Sequence, residues 1–158
     1  GSLDAEMFNT IARLQVPYIM MHMQGTPENM QHNPQYEDVV MEVMDFFVEK
    51  VDQLRQLHVH DIILDVGFGF GKTIEHNYKL LNSLNSFEIF GLPLMAGVSR
   101  KSMICKVLKV NPENALNGTS ALNTIALLNG AKILRVHDVK EAIECIQLVK
   151  EYQKVILK

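Results

Sequence analysis

The sequence predicts an α/β protein with a parallel sheet, and two features of the chain lead to this expectation. Four short apolar runs recur along the 158 residues, and each is followed by a longer segment with apolar residues at helical spacing. Short strands separated by helices favour parallel pairing through right-handed crossovers. Two architectures fit this order, a doubly wound sheet and part of a (β/α)8 barrel.

A short helix is expected first, followed by four strand–helix units. The strands are predicted at the apolar runs Val16 to His22, Asp61 to Asp65, Leu92 to Gly97 and Ala131 to Val136. The helices are predicted at Asp4 to Leu14, Tyr36 to Leu57, Thr73 to Leu84, Ser102 to Leu108, Pro112 to Asn129 and Val139 to Lys154. A loop rich in Gly, Pro and Asn follows the first strand through Pro34, and Gly130 ends the fifth helix.

The composition fits one globular domain with a buried core. Hydrophobic residues make up 47% of the chain, and the net charge is −3. This charge gives no general attraction for nucleic acid or anionic membranes, and no apolar run approaches the roughly 20 residues of a membrane span. Cys105 and Cys145 are far apart and form no C-x-x-C pair, so we expect reduced thiols in a cytoplasmic protein.

The segment LDVGFGFGKT, Leu64 to Thr73, raises the question of a nucleotide-binding loop. A P-loop needs G-x-x-x-x-G-K-[ST], and the position of its first glycine is occupied by Val66. A dinucleotide fingerprint needs a third glycine where Lys72 stands. Neither phosphate-binding motif fits, so the nucleotide-binding enzyme is the weakest of the functional hypotheses.

Polar residues stand at or just past the C-terminal end of every predicted strand. They are His22, Asp65, Ser99, Lys101, Arg135 and His137. Parallel α/β proteins build their sites at this edge. Each residue also has a structural alternative, such as a turn cap for Asp65, a helix cap for Ser99 or a strand-end imidazole for His22. Their coincidence on four strands favours a site.

These residues suit a flat ligand with an anionic group. The Asp65 carboxylate can accept two parallel hydrogen bonds from a planar donor pair. Lys101, Arg135 and His137 form a cationic group, and period-two geometry would place Arg135 and His137 on one face if the strand continues that far. No Ser-His-Asp or Cys-His arrangement supports covalent catalysis, and His58 and His60 lack metal-ligand spacing.

Four segments of the chain resemble dihydropteroate synthases, in the order and spacing of that family. They are MHMQGTPENMQ (Met21 to Gln31), LDVGFGFGKTIEHNYKLL (Leu64 to Leu81), LPLMAGVSRKSMI (Leu92 to Ile104) and ILRVHDVKEA (Ile133 to Ala142). Val66 is a departure, because the family usually has proline after the strand-end aspartate. This change should affect the stiffness of the loop more than its chemistry.

The resemblance implies that residues 1–158 are one partial pterin-binding domain, the C-terminal half of a (β/α)8 TIM barrel with strands five to eight. It implies a transferase of folate biosynthesis and a sulfonamide target. The enzyme joins 6-hydroxymethyl-7,8-dihydropterin pyrophosphate to 4-aminobenzoate and releases pyrophosphate with the help of Mg²⁺. A related alternative is a pterin binder similar to methyltetrahydrofolate–corrinoid methyltransferases, which Ser99-Arg100-Lys101 and Arg135-Val136-His137 disfavour.

The resemblance also assigns roles to residues of this chain. The pterin would be bound by Met21, Asp65, Lys101 and Arg135, the pyrophosphate by Arg135 and His137, and the aminobenzoate by Phe70, Ser99 and Lys101. Arg100 would be structural and point away from the pocket. The glycines after Asp65 would let the loop close over the substrate with Phe70 as a lid, and Lys72 would be a solvated residue at a helix start.

A (β/α)8 barrel is typically about 250 residues, so the resemblance implies a truncated chain without the family's N-terminal metal ligand. We expect this half to be inactive alone. Its open strand edges predict a homo-oligomer, most simply two copies that close an eight-stranded assembly. A different class of function is a non-catalytic half-barrel that assembles with a separate partner chain.

Overall fold

The computed structural model describes residues 4–26, 28, 30 and 34–156, which form a four-stranded sheet covered by helices. The strands are β1 (Tyr18–Met21), β2 (Ile62–Asp65), β3 (Leu94–Ala96) and β4 (Ile133–Leu134). Their spatial order is β1-β2-β3-β4, and all neighbouring pairs are parallel. The prediction of four parallel strands is therefore confirmed. Residues 27, 29 and 31–33 of the loop predicted after the first strand lie outside the described residues.

The described residues form six α-helices. They are α1 (Met7–Leu14), α2 (Val39–Gln56), α3 (Ile74–Asn82), α4 (Ser102–Leu108), α5 (Leu116–Leu128) and α6 (Val139–Ile156). The helix predicted from Pro112 to Asn129 is divided into a 3-10 turn at Pro112–Asn114 and α5. A second 3-10 helix, Leu84–Phe90, was not predicted.

Helices α2 and α3 begin at side chains that satisfy their free N–H groups. Asp38 Oδ1 accepts from the backbone N–H groups of Val40 and Met41 at 2.8 and 3.1 Å. Thr73 and His76 form a reciprocal capping box at the start of α3. These caps fix where each helix starts relative to the strand end before it, and α3 therefore leaves the sheet directly after the glycine-rich turn.

The hydrophobic core lies between the sheet and the helices. Helix α2 turns one apolar face inward, comprising Val39, Val43, Phe47, Val51 and Leu54. The ring of Phe47 packs edge-on against Phe87 and Phe90, with centroids 5.9 and 6.0 Å away. Phe87 comes from the unpredicted 3-10 helix, so this segment completes the core instead of acting as a simple connection.

The sheet has two edges without a described partner strand, at β1 and β4. Ile19 of β1 retains 48% of its surface exposed. Among the described residues, no helix combines the length and the apolar character needed to cross a bilayer.

The turn after β2 passes directly over the end of β1. Gly67, Gly69 and Gly71 all have positive φ, a backbone conformation that costs little only for glycine. A Cβ atom at Gly67 would overlap the carbonyl oxygen of His22, and one at Gly71 would overlap the carbonyl oxygen of Gln24. The glycines therefore allow the backbone of the turn to pack against the chain that leaves β1.

Substitutions at two glycines distinguish the destabilisation caused by close packing from that caused by backbone strain. Gly67 and Gly91 have similar φ, +71° and +64°, but a Cβ atom at Gly91 meets nothing within 4 Å. We expect Gly67→Ala to lower the free energy of unfolding by about 1–3 kcal/mol more than Gly91→Ala, which is the usual cost of adding an atom to a packed interior. Urea denaturation of both variants measures the difference, and equal losses would contradict the packing role of Gly67.

Candidate functional site

Asp65, the last residue of β2, is the buried carboxylate at the C-terminal edge of the sheet. The strand register places it between Met21 of β1 and Met95 of β3. Its side chain is 8% exposed, and Oδ1 accepts from the N–H of Gly67 at 2.8 Å. Among the described residues, Oδ2 has no hydrogen-bond partner. Asp65 thus caps a turn, as its structural alternative predicts, and still offers one oxygen to a ligand.

The electrostatics of Asp65 reflect burial opposed by neighbouring donors and cations. Burial raises the pKa of the carboxyl, because the charged form loses hydration. The N–H of Gly67 and the charges of Lys101, Lys72 and Arg135 act in the opposite direction. The structure therefore brings two of the predicted cations, Lys101 and Arg135, to the same edge as Asp65.

Lys101 follows β3 and lies beside the aromatic ring predicted to cover the ligand. Its Nζ donates to the carbonyl oxygen of Phe68 and stands 4.7 Å from the centroid of the Phe70 ring. The pKa of Lys101 is lowered to about 8, because the lowering by burial and by the charge of Arg135 outweighs the opposing effect of Asp65. Lys101, Phe70 and Asp65 thus form one cluster, as the sequence predicts.

Arg135 follows β4 and has an exposed side chain. Its backbone N–H donates to Ala96 at 2.9 Å, which fixes the start of the loop after β4. Within the part of the chain that the structure describes, its guanidinium makes no hydrogen bond or ion pair. It is therefore free to bind an anion in a bidentate manner.

Ser99 and His137 contact each other directly. The backbone N–H of His137 donates to Ser99 Oγ at 3.2 Å, and Oγ lies 2.9 Å from His137 Nδ1. If the hydroxyl donates to Nδ1, the exposed Nε2 carries the proton and can donate to an anion. The condition for placing Arg135 and His137 on one face is not met, because β4 ends at Leu134. Ser99 orients His137 instead.

Arg100 joins the loops that follow β3 and β4. Its guanidinium forms two hydrogen bonds with the Asp138 carboxylate, Nε to Oδ2 at 3.0 Å and Nη2 to Oδ1 at 2.6 Å. It also donates to the carbonyl oxygen of Pro112 at 3.3 Å. These contacts agree with the structural role predicted for Arg100. They hold Ser99 and Lys101 on one loop beside Arg135 and His137 on the other.

The expectation of a solvated Lys72 is wrong. Its side chain is 4% exposed, and Nζ lies 2.9 Å from His22 Nδ1 and 3.0 Å from the carbonyl oxygen of Phe70. The glycine-rich turn folds back over β1 and carries Lys72 inward. A lysine before a helix start is ordinarily solvated. The glycines beside Lys72 were therefore the only sign in the sequence that its side chain is buried.

Sequence reasoning also missed Asn77 of α3, which is 1% exposed. Its Oδ1 accepts from the N–H of Gly69 at 2.6 Å, and its Nδ2 donates to the carbonyl oxygen of Thr73 at 2.6 Å. The turn is therefore held from two sides, by Asn77 and by Lys72. Its glycines are explained by close packing, and a swinging lid is not needed to account for them.

The donor set at this edge does not fit a divalent cation. Among the described residues, no group of three or more His, Cys, Asp or Glu side chains lies close enough to hold a metal ion. Asp65 is surrounded by cations, whereas Mg²⁺ prefers several oxygen ligands. These residues consequently offer no ligand set for Mg²⁺.

A cavity of about 1060 Å³ lies away from this cluster, between the starts of α2 and α3. Tyr36, Asp38, Glu42 and His76 are among the residues that line it. Asp38 and Glu42 accept hydrogen bonds from nearby backbone N–H groups, and the Tyr36 hydroxyl donates to Gly71 at 2.8 Å. These groups complete the local structure, so the strand-end cluster, with its open carboxylate oxygen and free guanidinium among the described residues, is the better candidate.

Comparison with known proteins identifies relatives of the chain. A family model described as pterin binding enzyme matches residues 1–137. The chain is 46% identical over 152 residues to the dihydropteroate synthase of Escherichia coli K12, covering 95% of this chain and 52% of that protein. It is 44% identical over 138 residues to the dihydropteroate synthase of Haemophilus influenzae, covering 86% and 50% of the two chains.

A solved structure gives the same relationship. The fold superposes on Yersinia pestis dihydropteroate synthase, solved as a sulfonamide drug complex, with a TM-score of 0.91 and 40% identity. The match covers 94% of this chain and 55% of that one, and the four strands correspond to the C-terminal part of its (β/α)8 barrel. The predicted half-barrel is thereby confirmed. The chain spans about half the length of the relatives it matches.

Replacement of Arg100 by lysine tests the connection between the loops after β3 and β4. Lysine cannot reproduce the two parallel hydrogen bonds to Asp138. We expect Arg100→Lys to lower the urea midpoint and to speed hydrogen exchange at the backbone N–H of His137. Arg13→Lys, an exposed change on α1, is the matched control. Unchanged exchange at His137 would show that the ion pair does not hold the two loops together.

Proposed function

The chain belongs to the pterin binding enzyme family, and from this membership we propose that it carries part of the active site of a dihydropteroate synthase. The reaction joins 6-hydroxymethyl-7,8-dihydropterin pyrophosphate to 4-aminobenzoate and releases pyrophosphate. The observation that carries the proposal is the buried carboxylate of Asp65, with one oxygen open to a ligand and cations on the neighbouring strand ends.

The proposed pterin site is formed at the end of β2 and of the two strands beside it. The 2-amino group and ring N–H of the pterin form a planar donor pair that the Asp65 carboxylate can accept. Met21 stands directly opposite Asp65 in the register and supplies an apolar contact for the ring. Lys101 Nζ can keep its bond to Phe68 and donate another hydrogen to a ring acceptor, since an ammonium has three donors.

The proposed chemistry is displacement of pyrophosphate by an arylamine. The methylene–oxygen bond breaks and its electron pair leaves on pyrophosphate, while the amine nitrogen forms the new bond to the methylene carbon and then releases a proton. Arg135 and the Nε2–H of His137 would stabilise the negative charge on the leaving group. Positioning and leaving-group stabilisation account for catalysis without a nucleophilic side chain.

Phe70 and Lys101 would bind 4-aminobenzoate, with the ring of one and the cation of the other already adjacent. Ser99 is 4% exposed and its hydroxyl is engaged by His137, so its described contacts support orientation of His137 more directly than contact with the aminobenzoate carboxylate. Sulfonamide drugs would occupy this same position.

Mg²⁺ belongs to the proposal through the family resemblance alone, and no step is assigned to it because the described residues offer no ligand set. We place residues 1–158 in one partial barrel domain. We place the protein in the cytoplasm, in keeping with Cys105 and Cys145, which are free thiols.

Asp65→Asn tests the pterin site. Because Asn presents one acceptor and one donor where two acceptors are needed, we expect weak binding of 6-hydroxymethylpterin by these 158 residues to fall at least tenfold. Calorimetry measures the affinity, and Asp61→Asn, an exposed change just before the start of the same strand, is the control. Equal affinity in both variants would refute the pterin site. Binding is the readout because we expect no turnover from these residues alone.

We also propose that two copies associate through the sheet edges, because four strands cover half of an eight-stranded barrel and Ile19 of β1 is exposed. Sedimentation of the purified 158 residues at micromolar concentration should show a dimer. Ile19→Lys should weaken it more than Val48→Lys, which changes an even more exposed position on α2. A monomer at that concentration would contradict the proposal.

A further inference from the structure

Lys72 is a buried cation to which the proposed reaction assigns no role. Its ammonium lies 2.9 Å from His22 Nδ1 and 3.0 Å from the carbonyl oxygen of Phe70, and the side chain is 4% exposed. A charge removed from water is tolerated only when it is paired and hydrogen-bonded. The position of Lys72 therefore calls for an explanation beyond a helix start.

The contacts of Lys72 join two strand ends through the turn between β2 and α3. His22 follows β1, and its backbone N–H donates to the carbonyl oxygen of Asp65 at 3.0 Å. Phe70 belongs to the turn after β2 and carries the ring beside Lys101. One ammonium thus connects the chain that leaves β1 to the turn that positions the Gly67 N–H and the Phe70 ring.

His22 acts as an acceptor in this arrangement. Burial and, to a smaller extent, the charge of Lys72 lower the pKa of His22 to about 3, so the imidazole is neutral near pH 7. A protonated lysine has donors only, and His22 Nδ1 therefore accepts from it. The His22 ring packs edge-on against Phe46 at a centroid distance of 5.0 Å, which restricts its orientation.

The charge of Lys72 also acts on Asp65. The ionised groups facing Asp65 are Lys101, Lys72 and Arg135, and all three favour its carboxylate form. Burial lowers the pKa of Lys72 to about 7, Lys101 acts in the same direction, and Asp65 opposes them. Lys72 and Asp65 therefore stabilise each other's charged forms from opposite sides of the turn.

We propose that Lys72 is a positioning residue for the ligand site, which holds the 67–71 turn against β1 and supplies a charge that keeps Asp65 able to accept hydrogen bonds. This role rests on the proposed function for its ligand. Its mechanical part, the fixed turn, stands on the described contacts alone and can be measured without a ligand.

The sign of the pH effect follows from the charges. Without Lys72, the Asp65 carboxyl keeps its burial and loses one of three favourable cations, so its pKa rises further. Pterin binding needs the ionised carboxylate. On acidification, the chain without Lys72 should therefore lose pterin binding at a higher pH than the wild-type chain does. Because the folded-state pKa of Lys72 is depressed, the stability of the wild-type chain should increase as pH rises from about 7 toward 10, and this increase should be smaller without Lys72.

The experiment compares Lys72→Met, Lys72→Arg and the exposed control Lys106→Met, each checked for folding by circular dichroism. Hydrogen exchange without ligand follows the N–H of Gly69, bonded to Asn77, and that of Phe70, bonded to Gly67. We expect at least tenfold faster exchange at these groups in Lys72→Met, partial recovery in Lys72→Arg and no change in the control. The affinity for 6-hydroxymethylpterin should be measured as a function of pH. Its decrease on acidification, the acidic limb of this profile, should move to higher pH only in Lys72→Met.

Unchanged exchange together with an unchanged acidic limb in Lys72→Met would overturn the assignment. If the wild-type chain does not bind the pterin, the proposed function fails, and the exchange rates alone decide whether Lys72 holds the turn. If Lys72→Met does not fold, Lys72→Arg decides. Arginine keeps the charge, but its longer side chain and planar guanidinium do not fit the place of the ammonium between His22 and the Phe70 carbonyl. Exchange in Lys72→Arg should therefore still be faster than in the wild type, and wild-type rates in that variant would count against the role.

Discussion

The structure depends on one buried carboxylate and on the groups that favour its charged form against the effect of burial. Asp65 ends a central strand, and burial disfavours its charged form. A buried charge needs both hydrogen bonds and counter-charges, and here they come from separate parts of the chain. Gly67 donates an N–H from the next turn, and cations arrive from the loops after β3 and β4 and from the start of α3. The parallel sheet makes this convergence possible, because all its strands end at one edge.

The order of elements could be predicted because it follows from local periodicity and spacing. The predicted bounds of Ser102–Leu108 agree with α4, and the other elements were placed within a few residues. The strands are shorter than their apolar runs, because pairing with the neighbouring strand sets their ends. The 3-10 helix Leu84–Phe90 escaped prediction since its reason is tertiary: Phe87 fills space beside Phe47, which lies forty residues earlier in the chain.

The site was predictable where one residue at a strand end suffices, as for Asp65, Lys101 and Arg135. It was not predictable where two distant residues define each other. Lys72 and His22 are separated by 50 positions, and Ser99 and His137 by 38. No local rule distinguishes a lysine that enters the interior from one that remains in water. Whether the lysine is buried or solvated depends on how closely the glycine-rich turn packs against the end of β1.

The contact between Gly67 and the His22 carbonyl limits how this turn can evolve. Side chains are excluded at positions 67 and 71, while Val66 and Phe68 fill the core and Phe70 is partly buried beside Lys101. A substitution at residue 67, 69 or 71 would strain the backbone, and one at residue 66 or 68 would disturb the core. Residue 70 is the position of the turn that can change without either effect. The ring that covers Lys101 is therefore the least constrained side chain of a turn whose other positions are fixed by backbone and core packing.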